Sequence, residues 1–213
     1  KINNFTKHKN TEKENLFIEV IKNIKSLFSN SNKGRFLLSR MIYTDGLNTL
    51  FAFGGLYAAG TFNMSFSEII IFGILINITA GLGALFFSYI EDKVGPKYVI
   101  NLSLSFLIVI GVITLFLNSK EWFLVFGSSL GFFIGSIQSS SRSFMSRYIV
   151  NGNNAETFGI YAVSGKCTAF LGPAILALIV TIFDSQRAGM ASIILFFLLG
   201  LFLLQRVIEP KHH

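Results

Sequence analysis

Six apolar segments, at about 36–60, 66–89, 98–118, 121–148, 156–183 and 189–208, follow one another with short polar breaks between them. Each is long enough to cross a bilayer core, which takes roughly 20 helical residues. Hydrocarbon offers no partner to a backbone N–H or C=O, so segments of this kind satisfy their own backbone as helices. The expected fold is therefore all-α and integral to the membrane, a bundle of six transmembrane helices. Charge content agrees: 14% of the 213 residues are charged, against about 25% in a soluble domain. The 24 Phe suit a surface that faces lipid.

Basic residues orient the bundle. Lys1, Lys7, Lys9, Lys13, Lys22, Lys25 and Lys33 precede the first span. Lys93 and Lys97, Arg142 and Arg147, and Arg206 and Lys211 fall on the same side of an alternating topology, and only Lys120 and Arg187 on the other. The positive-inside rule then puts both termini in the cytoplasm. Lysines beside a span are explained by topology and anionic lipid, so the expected partner is the bilayer and not nucleic acid. Between Leu16 and Phe28 apolar residues recur at helical spacing, which fits a helix lying on the membrane surface or a linker helix equally well. The chain divides into a basic cytoplasmic segment with this helix (1–34), a six-helix membrane unit (35–208) and a short tail (209–213). It begins at Lys1 and not Met, as expected of a piece of a longer product.

The spans differ in chemistry. Segments three and six are apolar all round and read as peripheral. The other four carry polar groups: Asp45 and Asn48, Asn77, Gln138 and Arg142, and Tyr161 and Lys166. A charge at mid-membrane depth costs a few kcal/mol and usually faces a partner or a water-filled path. Asp45 and Lys166 each lie nine or ten residues from the cytoplasmic end, roughly 14–16 Å deep. The matched depth reads as an ion pair, or as two groups around one aqueous cavity. A fixed pair serving only helix packing is the alternative, and Arg142 competes for Asp45. Arg40 is expected to snorkel to the interface. Gly127, Gly131 and Gly135, and the stripe Gly73, Asn77, Ala80, Gly81, Ala84 and Ser88, read first as close-packing faces. Ser65 and Glu68 form a capping box, and Pro173 is placed to kink the fifth span.

Two stretches carry a family resemblance. Asp92-Lys93-Val94-Gly95-Pro96-Lys97, after the second segment, resembles the loop motif of the major facilitator superfamily, with Ser88 in place of its first glycine and Pro96 in place of a basic residue. Arg35 to Leu50 followed by Phe53-Gly54-Gly55 resembles the seventh helix of the vacuole effluxer-like branch, whose yeast member exports amino acids from the vacuole. Gln138 to Ser143, Phe158 to Lys166 and Ser185 to Met190 are similar to further stretches of that branch. The resemblance implies the C-terminal half of a twelve-helix transporter, built as a 3+3 inverted repeat and partnered by an N-terminal half. It also implies that Asp92, Gly95 and Lys97 form a conformational-switch loop. The echo of that loop at Asp184, Arg187 and Gly189 fits the repeat or ordinary turn chemistry.

The function expected is secondary-active transport of a small polar solute, with amino acids favoured and protons a possible coupling ion, in a bacterial inner membrane. The substrate and coupling candidates are Asp45, Asn48, Asn77, Gln138, Arg142, Tyr161 and Lys166. A scaffold that binds a partner, and a homo-oligomeric channel, are the competing readings. Enzyme chemistry is not expected. His8, His212 and His213 are the only histidines and sit at the polar ends, and Gly159 to Lys166 has the wrong spacing and setting for a phosphate loop. No metal or cofactor is expected.

Overall fold

The computed structural model describes residues 32–147 and 154–209, with the side chains of 154–157 left out. The surface helix expected at 16–28, most of the basic segment and most of the tail lie outside the described residues. The described chain forms seven helices and no strand: α1 (Asn32–Phe62), α2 (Phe66–Val94), α3 (Pro96–Phe116), α4 (Lys120–Ser146), α5 (Asn154–Cys167), α6 (Leu171–Phe183) and α7 (Gln186–Gln205). Five stretches are long and apolar enough to cross a membrane: α2, α3, α4, Phe158–Phe183 and α7. The protein is thus an integral, multi-pass membrane protein.

Two expectations change. The first segment is a 31-residue helix, about 46 Å long, but it is not among the five apolar stretches because Arg35, Arg40, Asp45 and Asn48 lower its hydropathy. The fifth segment is two helices. α5 ends at Cys167, three residues turn, and α6 starts at Leu171. Pro173 falls in the first turn of α6, where a missing N–H costs little. It follows the break and does not make a kink within one helix.

Local signals set the ends. Ser65 Oγ accepts from the Glu68 amide while a Glu68 carboxylate oxygen accepts from the Ser65 amide, so the capping box forms as read. Gly95 separates α2 from α3 at φ 86° and ψ 157°, a region open in practice only to glycine. Pro96 then opens α3.

Packing follows the small residues. α2 lies on α4 along Gly83, Gly131 and Gly135. A Cβ at these glycines would overlap the carbonyl oxygens of Phe132, Ile76 and Ala80 respectively. Thr79 Oγ1 crosses the seam to the Ser128 carbonyl at 2.7 Å. The expected α2 stripe is shifted: a Cβ at Gly73 or Gly81 would meet nothing within 4 Å. α1 packs on α7, α3 on α4 and α7, and α6 on α7, while α1 also meets α5 and α6. The main core gathers Phe36, Tyr43, Leu104, Ile137, Phe144 and Phe197 from α1, α3, α4 and α7. α3 and α7 each bury one face and expose a row of large apolar residues, Phe106, Val109 and Val112 on one and Leu195, Leu199 and Phe202 on the other.

The end of the bundle where α1 starts is tied by polar contacts. Arg147 pairs with Glu209 at 2.8 Å, Lys97 Nζ donates to the Gln205 carbonyl at 3.4 Å, and the Ile208 amide donates to Asn32 Oδ1 at 2.7 Å. Burial pushes the Glu209 carboxyl above its ordinary value, while Arg147 and the Lys97 amide pull it back. Glu91, at the foot of α2, is buried and accepts a hydrogen bond from Ser140 on α4. Its neighbour Asp92 is exposed.

Candidate functional site

Helical spacing brings the polar residues of α1 and α4 onto facing stripes. On α1 these are Arg40, Tyr43, Thr44 and Asn48, with apolar Leu47 among them; on α4 they are Gln138, Ser141 and Arg142, with apolar Ile137 beside them. Both sets repeat at three and four residues, so each lies on one side of its helix. With Tyr161 of α5 they line a cavity of about 230 Å³, nearer the end of the bundle where α1 begins and α4 ends. Four of the seven residues singled out from the sequence, Asn48, Gln138, Arg142 and Tyr161, meet here.

The walls are fixed by hydrogen bonds. Tyr43 Oη and Ser141 Oγ lie 2.7 Å apart, joining α1 to α4. Arg40 is 9% exposed and does not reach for the interface as expected. Its Nη1 donates to the Tyr161 carbonyl at 2.8 Å and to Ser164 Oγ at 2.9 Å, and its guanidinium lies 3.5 Å from the centre of the Tyr161 ring. Burial among these partners removes the reason to snorkel, although Arg40 Nε finds no acceptor. Arg142, Asn48 and Gln138 are exposed at the opening. Among the described residues Arg142 makes no ion pair or hydrogen bond.

Asp45 stands apart from this cavity. It is 1% exposed, and its Oδ2 accepts from the Gly172 amide at 2.8 Å. That amide belongs to the first turn of α6, where N–H groups have no partner within the helix. Asp45 therefore caps α6 from a different helix, and the positive end of the helix dipole faces the carboxylate. Its other oxygen is buried without a hydrogen-bond partner. Thr49 Oγ1 donates to the Asp45 carbonyl at 2.7 Å, and a Cβ on Gly172 would strike that hydroxyl. The contact thus requires glycine at 172.

Lys166 is exposed near the end of α5. Two ion pairs join described residues, Lys120 with Glu68 and Arg147 with Glu209, and neither includes Asp45 or Lys166. Asn77 is exposed, and its Nδ2 donates to the Gly73 carbonyl one turn back at 2.8 Å. It lines a second, largely apolar cavity of about 190 Å³ among α1, α2, α3, α4 and α7. Sequence reasoning passed over Glu91, Tyr43, Ser141, Ser164 and Gly172. The Gly172-Pro173 pair carried the one local signal, a helix start.

A family described as vacuole effluxer Atg22 like matches residues 7–212. The chain is 22% identical over 174 residues to the uncharacterized MFS-type transporter YxiO of Bacillus subtilis (strain 168), covering 82% of this chain and 40% of that protein. It is 27% identical over 182 residues to autophagy-related protein 22 of Coccidioides immitis (strain RS), covering 77% of this chain and 30% of that one. It is 28% identical over 154 residues to autophagy-related protein 22 of Yarrowia lipolytica (strain CLIB 122 / E 150), covering 68% and 26%. The chain spans less than half the length of these curated relatives.

Proposed function

The chain belongs to the vacuole effluxer Atg22-like family, and from that premise we propose that it is the C-terminal half of a facilitator-type secondary transporter that moves a small polar solute, with amino acids the favoured class. Residues 35–208 form the six-span half, 1–34 belong to the central cytoplasmic loop and 209–213 are a cytoplasmic tail. An N-terminal half completes the solute path. Both termini face the cytoplasm, the bacterial inner membrane is the expected location, and protons are the expected coupling ion.

The observation that carries this reading is the polar cavity walled by α1, α4 and α5. Polar groups inside a membrane protein are costly and mark solute or ion paths. The packing pattern adds support. Exchanging α1, α2 and α3 with α4, α5–α6 and α7 maps the α1–α7 contact onto α4–α3, and α2–α4 onto α5–α6 with α1. A 3+3 inverted repeat has this property. The length of the relatives beyond the matched region leaves room for a second half.

Uptake of a labelled amino acid by the full-length protein in proteoliposomes, driven by an imposed pH gradient, tests the reading. Wild-type uptake should saturate. Asn48→Ala combined with Gln138→Ala should lower the rate about tenfold, the loss expected for deleted polar contacts, with membrane insertion unchanged. Undiminished uptake in the double variant would remove the cavity from the solute path. Flux that never saturates would favour a channel. No flux of any solute would favour a scaffold.

A further inference from the structure

The cavity is chemically one-sided. Of its ten lining residues two are arginines, on different helices, and none is Asp or Glu. Arg40 is held in place: Tyr161 and Ser164 accept from its Nη1, and the Tyr161 ring covers its face. Arg142 is at the opening, and among the described residues it has no hydrogen-bond or ion-pair partner. Two buried carboxylates of the described residues are engaged elsewhere. Asp45 is turned to the α6 start and Glu91 to Ser140. In a low-dielectric wall such an arrangement concentrates anions. A guanidinium also has the planar fork that matches a carboxylate in two parallel bonds. Asn48 and Gln138 supply neutral donors beside it.

We propose that this cavity binds its solute through a carboxylate, received by Arg142, with Arg40 as a fixed positive charge behind it. The inference rests on the cavity being the solute site, and it makes this half the acid-recognising half. Among the described lining residues none carries a negative charge to pair an ammonium group, so a des-amino acid should be accepted where an amide is refused.

The test uses the purified full-length protein with valine, 3-methylbutanoate and valinamide as probes, reading both thermal stabilisation and competition with valine uptake. Valine and 3-methylbutanoate should bind, and valinamide should bind about tenfold more weakly or worse, the loss expected for a charged hydrogen-bonded contact. Arg142→Gln should erase that discrimination, and Arg142→Lys should restore part of it by keeping the charge without the fork. Binding of valinamide as tight as that of valine would overturn the proposal while leaving transport intact. Unchanged discrimination in Arg142→Gln would also overturn it, as would stabilisation by neither acid. Stabilisation by both acids with no uptake of any solute would overturn the transport reading and keep this one.

Discussion

Asp45→Ala should loosen the start of α6 and lower the stability of the protein by about 1–3 kcal/mol, the cost of leaving a buried donor unsatisfied. The Gly172 amide has the Asp45 carboxylate as its acceptor at 2.8 Å, across two helices, in a membrane interior where water does not replace it. Asp45→Asn separates the two contributions of the side chain. Its amide oxygen still accepts from Gly172, and the buried charge is gone together with its desolvation cost. The Asn variant should therefore be at least as stable as wild type. Hydrogen exchange of the peptide covering residues 168–174, with thermal unfolding in detergent, checks both. Exchange should rise in the Ala variant and stay near wild type in the Asn variant. Equal protection in Ala and wild type would mean that Asp45 does not hold the break.

The second large effect belongs to the α2–α4 seam. Gly135→Ala and Gly83→Ala each push a methyl into a backbone carbonyl of the facing helix, Ala80 in one case and Phe132 in the other. A carbonyl within a helix cannot swing aside as a side-chain tip can, so the helices must separate. Overpacking of this kind costs about 1–3 kcal/mol. The two sites share one seam, so their losses should not add. Gly73→Ala and Gly81→Ala are the controls. They lie on the same helix as Gly83 and would meet nothing within 4 Å, so they should gain up to about 1 kcal/mol from helix propensity alone. Thermal unfolding of the four variants decides it. If all four behaved alike, close backbone approach would not be what holds α2 to α4.

What the sequence disclosed and what it hid divide along local and azimuthal lines. Ser65 and Glu68 cap α2 because both partners lie within one turn, and the Gly95-Pro96 joint is set by the backbone limits of those two residues. Gly131 and Gly135 marked a close seam by spacing alone, but only the structure aligned Gly83 against them. Neither the partner nor the direction of a mid-span side chain was readable. Residue counting puts Asp45 and Lys166 at matched depth, but Asp45 meets Gly172, six residues beyond Lys166, and Lys166 lies five residues past Tyr161 and so about 140° round the helix from the cavity wall. The α5–α6 break precedes Pro173 because its cap arrives from α1, 127 residues earlier in the chain, and no local pattern encodes that. Arg40 failed to snorkel for the same kind of reason: its acceptors, the Tyr161 carbonyl and Ser164, lie on another helix.

The most direct test of the account is the two-sided accessibility of the cavity. Gln138→Cys in a full-length protein whose other cysteines, Cys167 included, are replaced by Ser would be labelled with a membrane-impermeant thiol reagent in right-side-out and inside-out vesicles. A facilitator cavity opens alternately to each side, so labelling should occur from both, and a saturating transported amino acid should slow it. Labelling from one side alone, indifferent to every solute tried, would describe a static crevice and contradict the transport account.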